Sequence, residues 1–514
     1  MTPRGRGRAA RHLTVAALLA AGCGGGGEGE APAGPPTAQP GIVEMLRQDA
    51  AAQRHPADGG GRAWLAAGEP VPAGERGRWT IVYEAGPLGV GAGGTVYLQV
   101  SPFWGWSTPQ TELPGLPGYT VVATDAEGVE LRATAAGQQL LAVEIGGRGL
   151  VEGERLRIEY GAEPGGAVAD RFAEGRSPFY VAVDGDGDGV RALVAEDPAT
   201  PVLARGPARL VAILPSTARP GQRVRLTLAV LDRGGSAGVE VEGEIHLQTE
   251  LAGPASVALP PQARGVIHVE LAAQGPGTYV VRAEGPAGLA AESNPLVVTE
   301  GPRLLWGDLH GHSVLSDGTG TPEEYYRYAR DVAALDVVSL TDHDHWGMRP
   351  LSAAEPARRE IVEATRRFHD RGRLVTLLGF EWTNWIHGHR HVLYFDSDSP
   401  PAPHDFVIDS LDPATDSPDE LWAALEGREA LTFAHHSAGG PVATDWSFAP
   451  DPRFEPVTEV SSVHGSSEAA DSPGRIYAPV AGNTVRDQLD RGYRLGVVGS
   501  GDSHDGHPGL AHLV

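Results

Sequence analysis

The stretch Arg303–Asp317, RLLWGDLHGHSVLSD, decides the fold of the C-terminal part of this chain. Its apolar run ends in His310 and His312, and on an extended chain the i, i+2 spacing places both imidazoles on one face. The stretch follows Gly301-Pro302, where a pattern of strands alone gives way to strands that alternate with helical segments. That alternation predicts a mostly parallel α/β sheet or barrel over residues 301–514.

Local signals mark the individual elements of this alternation. Thr321 is a suitable N-cap and Pro322 a suitable first residue for a helix that extends to Leu335. Val337–Thr341 is typical of a buried strand. Further strands are predicted at residues 374–380, 391–395, 430–434, 457–461 and 495–498, and further helices at 354–370, 419–425 and 485–490.

Polar side chains stand where these strands end. Asp317 ends the stretch described above, and after it come Asp342, His343, Asp344, Glu381, His389, His391, His435, His436, Asp502 and His504. Because the carboxyl ends of parallel barrel strands meet at one mouth, we expect these groups to converge. Imidazole and carboxylate ligands without thiolates suit Zn, Mn or Fe. Their number exceeds what one ion can use, so the sequence predicts two or three divalent metal ions.

Residues 303–514 resemble the PHP (polymerase and histidinol phosphatase) superfamily of metallohydrolases. The matching motifs are Asp308-Leu-His310-Gly-His312-Ser-Val-Leu-Ser-Asp317-Gly, Thr341-Asp342-His343, Glu381, His435 and Gly501-Asp502-Ser503-His504. Within the superfamily, the chain is similar to the DUF3604 group, which includes relatives of carbaryl hydrolase. That finer match lies in Glu381-Trp382-Thr383, Gly388-His389-Arg390 and Val463-His464-Gly465-Ser466-Ser467-Glu468.

The resemblance implies a distorted (β/α)7 barrel, similar to a TIM barrel, with up to three metals at the carboxyl ends of its strands. Carried over position by position, one metal is held by His310, His312, Glu381 and Asp502, a second by Glu381, His391 and His435, and a third by Asp317, His343 and His504. His389 stays an alternative to His391 or a substrate contact. His436, His464 and Asp344 are candidates for proton transfer or for support of the ligands.

The function implied by the resemblance is hydrolysis of a small molecule, either a phosphoester or a carboxylic or carbamate ester, by a metal-activated water. The alternative is a non-catalytic envelope lipoprotein whose β domains recognise a glycan or a protein. No expected ligand position is empty, which favours the enzyme. The formal net charge of −25 argues against nucleic acid as a partner, since phosphate binding requires a positive surface.

Residues 62–300 carry the pattern of an all-β, sandwich-like region, with a β-rich domain at 62–200 and an immunoglobulin-like β-sandwich at 201–300. Arg223–Val230, for example, alternates as a half-buried strand does. Asp184, Asp186 and Asp188 begin like a calcium loop, but Ala195 stands where the closing Glu is expected. A calcium site and a plain acidic turn are both open readings of this segment.

The N-terminal residues 1–23 have the layout of an export signal, with four arginines before the apolar run Leu13–Ala21. The segment resembles a bacterial lipoprotein signal that ends at Cys23, the sole cysteine, with Ala20 where the pattern prefers Leu. A Gly/Pro-rich tether at 24–61 follows. We therefore expect an exported cell-envelope protein anchored in the membrane by a lipid at Cys23; the alternative is a secreted or periplasmic protein.

The chain ends at Val514, soon after the last motif. Members of the superfamily normally continue beyond this point. Two alternatives stay open: the sequence is a fragment and the C-terminal domain is truncated, or the fold lacks its final elements.

Overall fold

The computed structural model describes residues 39–137, 139–395 and 401–509. Cys23, the predicted export signal and the first part of the predicted tether lie outside these ranges. The chain divides into two compact units, one formed by residues 41–171 and 176–202 and the other by residues 172–175 and 203 onward. Within the described ranges, no helix has both the length and the apolar character needed to cross a bilayer.

Five α-helices occur in the described residues: α1 (Pro40–Ala51), α2 (Pro322–Asp331), α3 (Glu355–Phe368), α4 (Pro418–Ala424) and α5 (Val485–Asp490). Two short 3-10 helices lie at Pro261–Ala263 and Pro286–Gly288.

The N-terminal part of the described chain is built of strands. They are β1 (Arg62–Ala67), β2 (Val71–Pro72), β3 (Arg76–Gly77), β4 (Trp79–Glu84), β5 (Thr95–Val100), β6 (Thr120–Thr124), β7 (Val129–Ala135), β8 (Leu140–Gly147), β9 (Arg155–Tyr160), β10 (Ala167–Val168), β11 (Glu174–Asp184), β12 (Ala192–Leu193) and β13 (Ala199–Leu203). They form a four-stranded sheet in the order β1-β4-β9-β6, a β10-β3 pair, and a seven-stranded sheet in the order β2-β13-β11-β5-β8-β7, with β12 added beside β11.

Alternating burial along these strands explains how their sheets enclose a core. In β9 the side chains of Leu156, Ile158 and Tyr160 are fully buried, while the residues between them are more exposed. The core of this unit contains an aromatic group in which the ring of Trp79 lies 4.9 Å from that of Trp106.

Residues 209–298 form ten further strands in three sheets. The strands are β14 (Arg209–Ile213), β15 (Thr217–Ala218), β16 (Arg223–Leu231), β17 (Gly243–Gln248), β18 (Ser256–Leu259), β19 (Val266–Ala272), β20 (Gly277–Tyr279), β21 (Arg282–Glu284), β22 (Ala290–Glu292) and β23 (Leu296–Val298). The sheet orders are β14-β16-β19, β15-β23-β20 and β18-β17-β21-β22. The strand predicted at Arg223–Val230 is β16.

The remaining strands form one eight-stranded sheet. They are β24 (Gly307–Asp308), β25 (Val337–Leu340), β26 (Val375–Trp382), β27 (Arg390–Tyr394), β28 (Ala430–Ala434), β29 (Val457–Ser462), β30 (Gly465–Ser466) and β31 (Gly496–Gly499). Their order is β24-β25-β26-β27-β28-β29-β30, and β31 pairs with β29. The segments that follow β24 and β31 also meet, because His312 N donates to Ser503 O at 2.9 Å and Asp502 N donates to His310 O at 3.0 Å.

The expectation of a distorted, TIM-like (β/α)7 barrel is wrong. The chain is mostly β, and the described residues from 301 onward contain four helices among eight strands. A parallel connection requires a crossover of a dozen or more residues, whereas residues 383–389 between β26 and β27 are too few for one. The β26-β27 pair is accordingly antiparallel, and the β27-β28 pair is antiparallel as well.

Candidate metal centre

The nine predicted metal ligands lie at one edge of the eight-stranded sheet. Most follow the carboxyl end of a parallel strand, as His343 follows β25 and His435 follows β28. His391 reaches the same edge from the other direction, because β27 is antiparallel to β26 and His391 is the register partner of Glu381. All nine residues are buried, none more than 6% exposed.

Four ligand atoms form a compact set around one position. His310 Nε2 lies 3.2 Å from His312 Nε2, 3.5 Å from Glu381 Oε2 and 3.0 Å from Asp502 Oδ1. His312 Nε2 lies 3.4 Å from each of the same two carboxylate oxygens. Four ligands at tetrahedral angles around a zinc ion, each about 2.0–2.2 Å from it, are separated by about 3.3 Å. This spacing therefore suits one tetrahedral ion.

Glu381 faces a second set with its other oxygen. Its Oε1 lies 3.1 Å from His435 Nε2. His310, Glu381, His391 and His435 each offer a ligand atom within 4.8 Å of the others. His389 Nδ1 is also 2.8 Å from Glu381 Oε1, so both histidines flanking Arg390 reach this carboxylate. The arrangement gives Glu381 the geometry of a bridging ligand.

A third set is centred on Asp317. Its Oδ1 lies 3.4 Å from His343 Nε2 and 3.3 Å from His504 Nε2. His312 belongs to this set as well, with its Nδ1 3.9 Å from the same oxygen. The three sets together contain all nine residues predicted as ligands.

Hydrogen bonds to the far side of several imidazoles fix their orientation. His310 Nδ1 lies 2.9 Å from Glu459 Oε2, His343 Nδ1 lies 2.7 Å from Thr383 Oγ1, and His504 Nδ1 lies 2.9 Å from the main-chain oxygen of Asp502. In each case the Nε2 atom is left facing a carboxylate of the sets above. Such partners hold a metal-binding histidine in its tautomer and rotamer.

Glu459 was not identified from the sequence. It lies inside β29 and not at a strand end, and it is 1% exposed. The one signal available in the sequence was a carboxylate within the otherwise uncharged run Val457–Ser462.

The charges of the first set depend on one another. Burial alone would lower the pKa of His310, but the carboxylates of Asp502 and Glu459 outweigh it and hold that pKa well above its ordinary value. Burial would raise the pKa of Asp502, and the neighbouring His310 and His464 hold it well below the usual range. For Glu459 burial prevails and raises the pKa to about 7.

Other imidazoles of the centre are held neutral. Burial is the largest cause of a pKa of about 3 at both His312 and His435. Burial, followed by the charges of His310 and His435, also holds the pKa of His391 well below its ordinary value. Neutral imidazole is the form that binds a metal ion.

Several buried polar atoms in these sets make no well-aligned hydrogen bond, even where a nitrogen or oxygen lies close, and this tests whether a metal fits. They include both ring nitrogens of His391 and His435, and both carboxylate oxygens of Glu381 and Asp502. Leaving such groups unsatisfied costs several kcal/mol for a charged group. Since the same atoms are nitrogen and oxygen ligands at coordination spacing, the residues fit divalent metal ions.

The three residues predicted as acid–base groups have different surroundings. His464 Nε2 lies 2.9 Å from Asp502 Oδ2, and the His436 ring lies 5.2 Å from that of His464. Both border the metal sets. Asp344 instead accepts hydrogen bonds from the main-chain N–H groups of Thr383 and Ser410, so its carboxylate is engaged in holding two loops.

Gly311 is required between the two histidines of the first set. A Cβ atom at this position would overlap the phenol ring and hydroxyl of Tyr325 on α2. The main chain can therefore pass close to Tyr325 only because residue 311 has no side chain.

The segment predicted as a calcium loop or an acidic turn is held together by hydrogen bonds to its aspartates. Asp184 Oδ1 accepts from Gly187 N at 2.7 Å and its Oδ2 accepts from Gly189 N at 2.9 Å. Asp186 and Asp188 accept from the N–H groups of Asp188 and Val190. These bonds form a turn after β11 and are compatible with both alternatives, so the calcium site stays a prediction.

Comparison with known proteins identifies no family, since no family model matches the chain. The chain is 24% identical over 383 residues to an uncharacterized protein of Chlamydia pneumoniae, a match that covers 68% of this chain and 58% of the relative. It is 26% identical over 212 residues to an uncharacterized protein of Chlamydia muridarum, covering 39% of this chain and 32% of that relative. In both cases less than two thirds of the relative is spanned.

Solved structures show weak likeness. The chain is similar to the D0-D1 domain of intimin, with a TM-score of 0.16, 12% identity, and coverage of 46% of this chain and 98% of that chain. It is also similar to InvD of Yersinia pseudotuberculosis, with a TM-score of 0.20, 12% identity, and coverage of 47% and 61%. TM-scores this low carry no information about function.

Proposed function

We propose that residues 301–509 form the metal centre of a hydrolase related to the PHP superfamily, acting on a small phosphoester or a carboxylic or carbamate ester. The observation that supports this most is the set His310, His312, Glu381 and Asp502, whose ligand atoms lie 3.0–3.5 Å apart in a buried site.

The chain's own residues divide the work of such a centre. His310, His312, Glu381 and Asp502 would hold one ion, and Glu381 would share its second oxygen with an ion held by His391 and His435. Asp317, His343 and His504 would hold a third. A bound divalent ion supplies a nucleophilic water at neutral pH and polarises the oxygen that becomes negative.

His464, on the side of the centre that adjoins solvent, would transfer protons. The His464 side chain is 9% exposed, and its ring lies 5.7 Å from that of Tyr477, which is 43% exposed. With Nε2 held 2.9 Å from Asp502 Oδ2, His464 is positioned to exchange a proton with the reacting group and with water.

The test starts from the full chain, stripped of metal with a chelator and reloaded with Zn, Mn or Fe. Elemental analysis gives the number of ions per chain, and a panel of phosphoesters, carboxylic esters and carbamates gives the reaction. We expect two or three ions and metal-dependent turnover of one of these classes. Two or three ions without turnover of any class would favour the alternative, a non-catalytic binding protein. Absence of stoichiometric metal would overturn the proposal.

Two histidine substitutions make the test specific. His312→Ala should reduce turnover more than tenfold, because His312 belongs to two ligand sets. His404→Ala is the matched control, since His404 has a side chain that is 71% exposed and lies outside the three sets. Equal loss in both variants would indicate a general effect of histidine removal and not a role in metal binding.

We also propose that the chain is exported and anchored by a lipid at Cys23, on the basis of the sequence before that residue. Fractionation of cells that express the full chain tests this. Wild-type protein should sediment with membranes, and Cys23→Ala should not. Sedimentation of neither protein, with both found in the periplasm or medium, would favour the plain secretory alternative.

A further inference from the structure

A group of three histidines adjoins the metal centre and is only partly used by it. His389, His435 and His436 each offer a ring nitrogen within 4.8 Å of the others, and all three are 2–3% exposed. His436 Nε2 lies 3.3 Å from His389 Nδ1. That separation is the one expected for two ligands of a tetrahedral ion, about 3.3 Å.

We propose that His389, His435 and His436 form an additional cation position made of three imidazoles, on the side of the centre next to His464. It goes beyond the three positions of the proposed hydrolase. His435 belongs both to this group and to the set containing Glu381. To bind both ions it would act as an imidazolate, releasing its ring proton to solvent so that each of its two buried nitrogens ligates one ion.

The strained backbone conformation of His436 supports a functional role for its side chain. Its φ of +36° lies in the left-handed region, which costs a non-glycine residue of order 1–3 kcal/mol. The strain brings the imidazole to 4.7 Å from the ring of His389 and 4.0 Å from that of His435. Strained residues of this kind cluster at functional sites.

The chemistry of the group indicates which ions it would take. Imidazole ligands suit Zn²⁺, Cu²⁺ and Ni²⁺, whereas Mg²⁺ and Mn²⁺ prefer oxygen. Because His435 is shared and the group borders the solvent side at His464, we expect this position to be filled last and to exchange first. An ion there would stand beside His464, whose ring lies 5.2 Å from that of His436.

The experiment loads metal-free full-length protein first with three equivalents of Zn²⁺ and then with one of Cu²⁺. The Cu²⁺ electron paramagnetic resonance spectrum should show coupling to three nitrogens. His436→Asn is the informative variant, because Asn tolerates the left-handed backbone and should fold. We expect it to bind one ion fewer by calorimetry and to lose the three-nitrogen signal. His389→Asn should do the same.

The outcomes separate this site from the proposed function. An unchanged number of ions and an unchanged spectrum in both variants would overturn the additional position, even if three ions bind and hydrolysis proceeds. A chain that binds no metal at all would overturn both proposals. His404→Asn is the control and should leave the count and the spectrum as in the wild type.

Discussion

The acidic turn Asp184–Gly189 and the edge of the eight-stranded sheet both carry acidic residues in patterns associated with metals, yet their carboxylates are in different states. In the turn, both oxygens of Asp184 accept main-chain N–H groups. At the sheet edge, both oxygens of Glu381 and of Asp502 lack such partners and face imidazole nitrogens instead. Spacing along the sequence does not reveal this difference, whereas the hydrogen-bond partners of the oxygens do.

The largest effect on metal binding and turnover is expected for Glu381→Gln, at the sheet edge. The substitution keeps the shape but removes the charge of a carboxylate that faces two ligand sets. We expect loss of at least one bound ion and a fall in turnover of about 10³-fold, since metal stabilisation of a transition state contributes several kcal/mol. Elemental analysis and steady-state kinetics measure both. Glu426→Gln, at a side chain that is 56% exposed, should change neither.

A smaller effect is expected when the orientation of one ligand is disturbed. Glu459→Gln weakens the bond to His310 Nδ1 without touching the side that faces the metal. Partners of this kind typically contribute 10–100-fold in metal affinity or activity. Competition with a chromogenic chelator measures the affinity. Wild-type affinity in this variant would mean that packing alone orients His310.

Acid should lower the free energy of unfolding of the metal-free chain, because the buried His435 resists protonation. Its pKa in the folded chain is about 3, mainly because of burial, and the ordinary value is 6.5. The unfolded chain therefore binds more protons below pH 6.5, and folding stability falls as the pH falls. Relative to His435→Asn, the wild-type free energy of unfolding should fall by about 1.4 kcal/mol for each pH unit below 6.5. Denaturant titrations of metal-free protein from pH 7 to about 5 measure this; a pH-independent difference would contradict it.

The smallest effect is expected in the turn. Asp188→Asn keeps an oxygen that can accept from Val190 N. Its free energy of unfolding should change by less than about 0.5 kcal/mol, as for most surface substitutions. Added Ca²⁺ should not raise the melting temperature of wild type or variant. A calcium-dependent rise in melting temperature that Asp188→Asn abolishes would instead show that the turn binds calcium.

Much of the local structure was predictable from sequence because it depends on neighbouring residues. Thr321 caps α2 and forms a capping box with Glu324, and Pro322 is the first residue of the helix. The predicted strand at 430–434 and helix at 485–490 have the bounds of β28 and α5. The predicted helix end at Leu335 was too late, since α2 ends at Asp331.

Strand direction was not predictable in the same way. The alternation of strands and helices after residue 301 predicts mostly parallel pairing, but the loop between β26 and β27 is short and reverses the chain. His391 still reaches the sheet edge, because a reversed strand begins where its neighbour ends. The convergence of these side chains could therefore be anticipated even though the barrel was wrong. Glu459 could not, because its role depends on a contact with His310 across 149 residues.

The geometry of this centre is sensitive to substitution at Gly311, a residue that has no functional group of its own. Any substitution there would have to displace either Tyr325 or the loop that carries His310 and His312. A mutational survey that scored only the ion-contacting positions would miss it. Conversely, enlarging residue 311 while replacing Tyr325 with Leu would test whether the two imidazoles can be shifted together without altering any ligand of the centre.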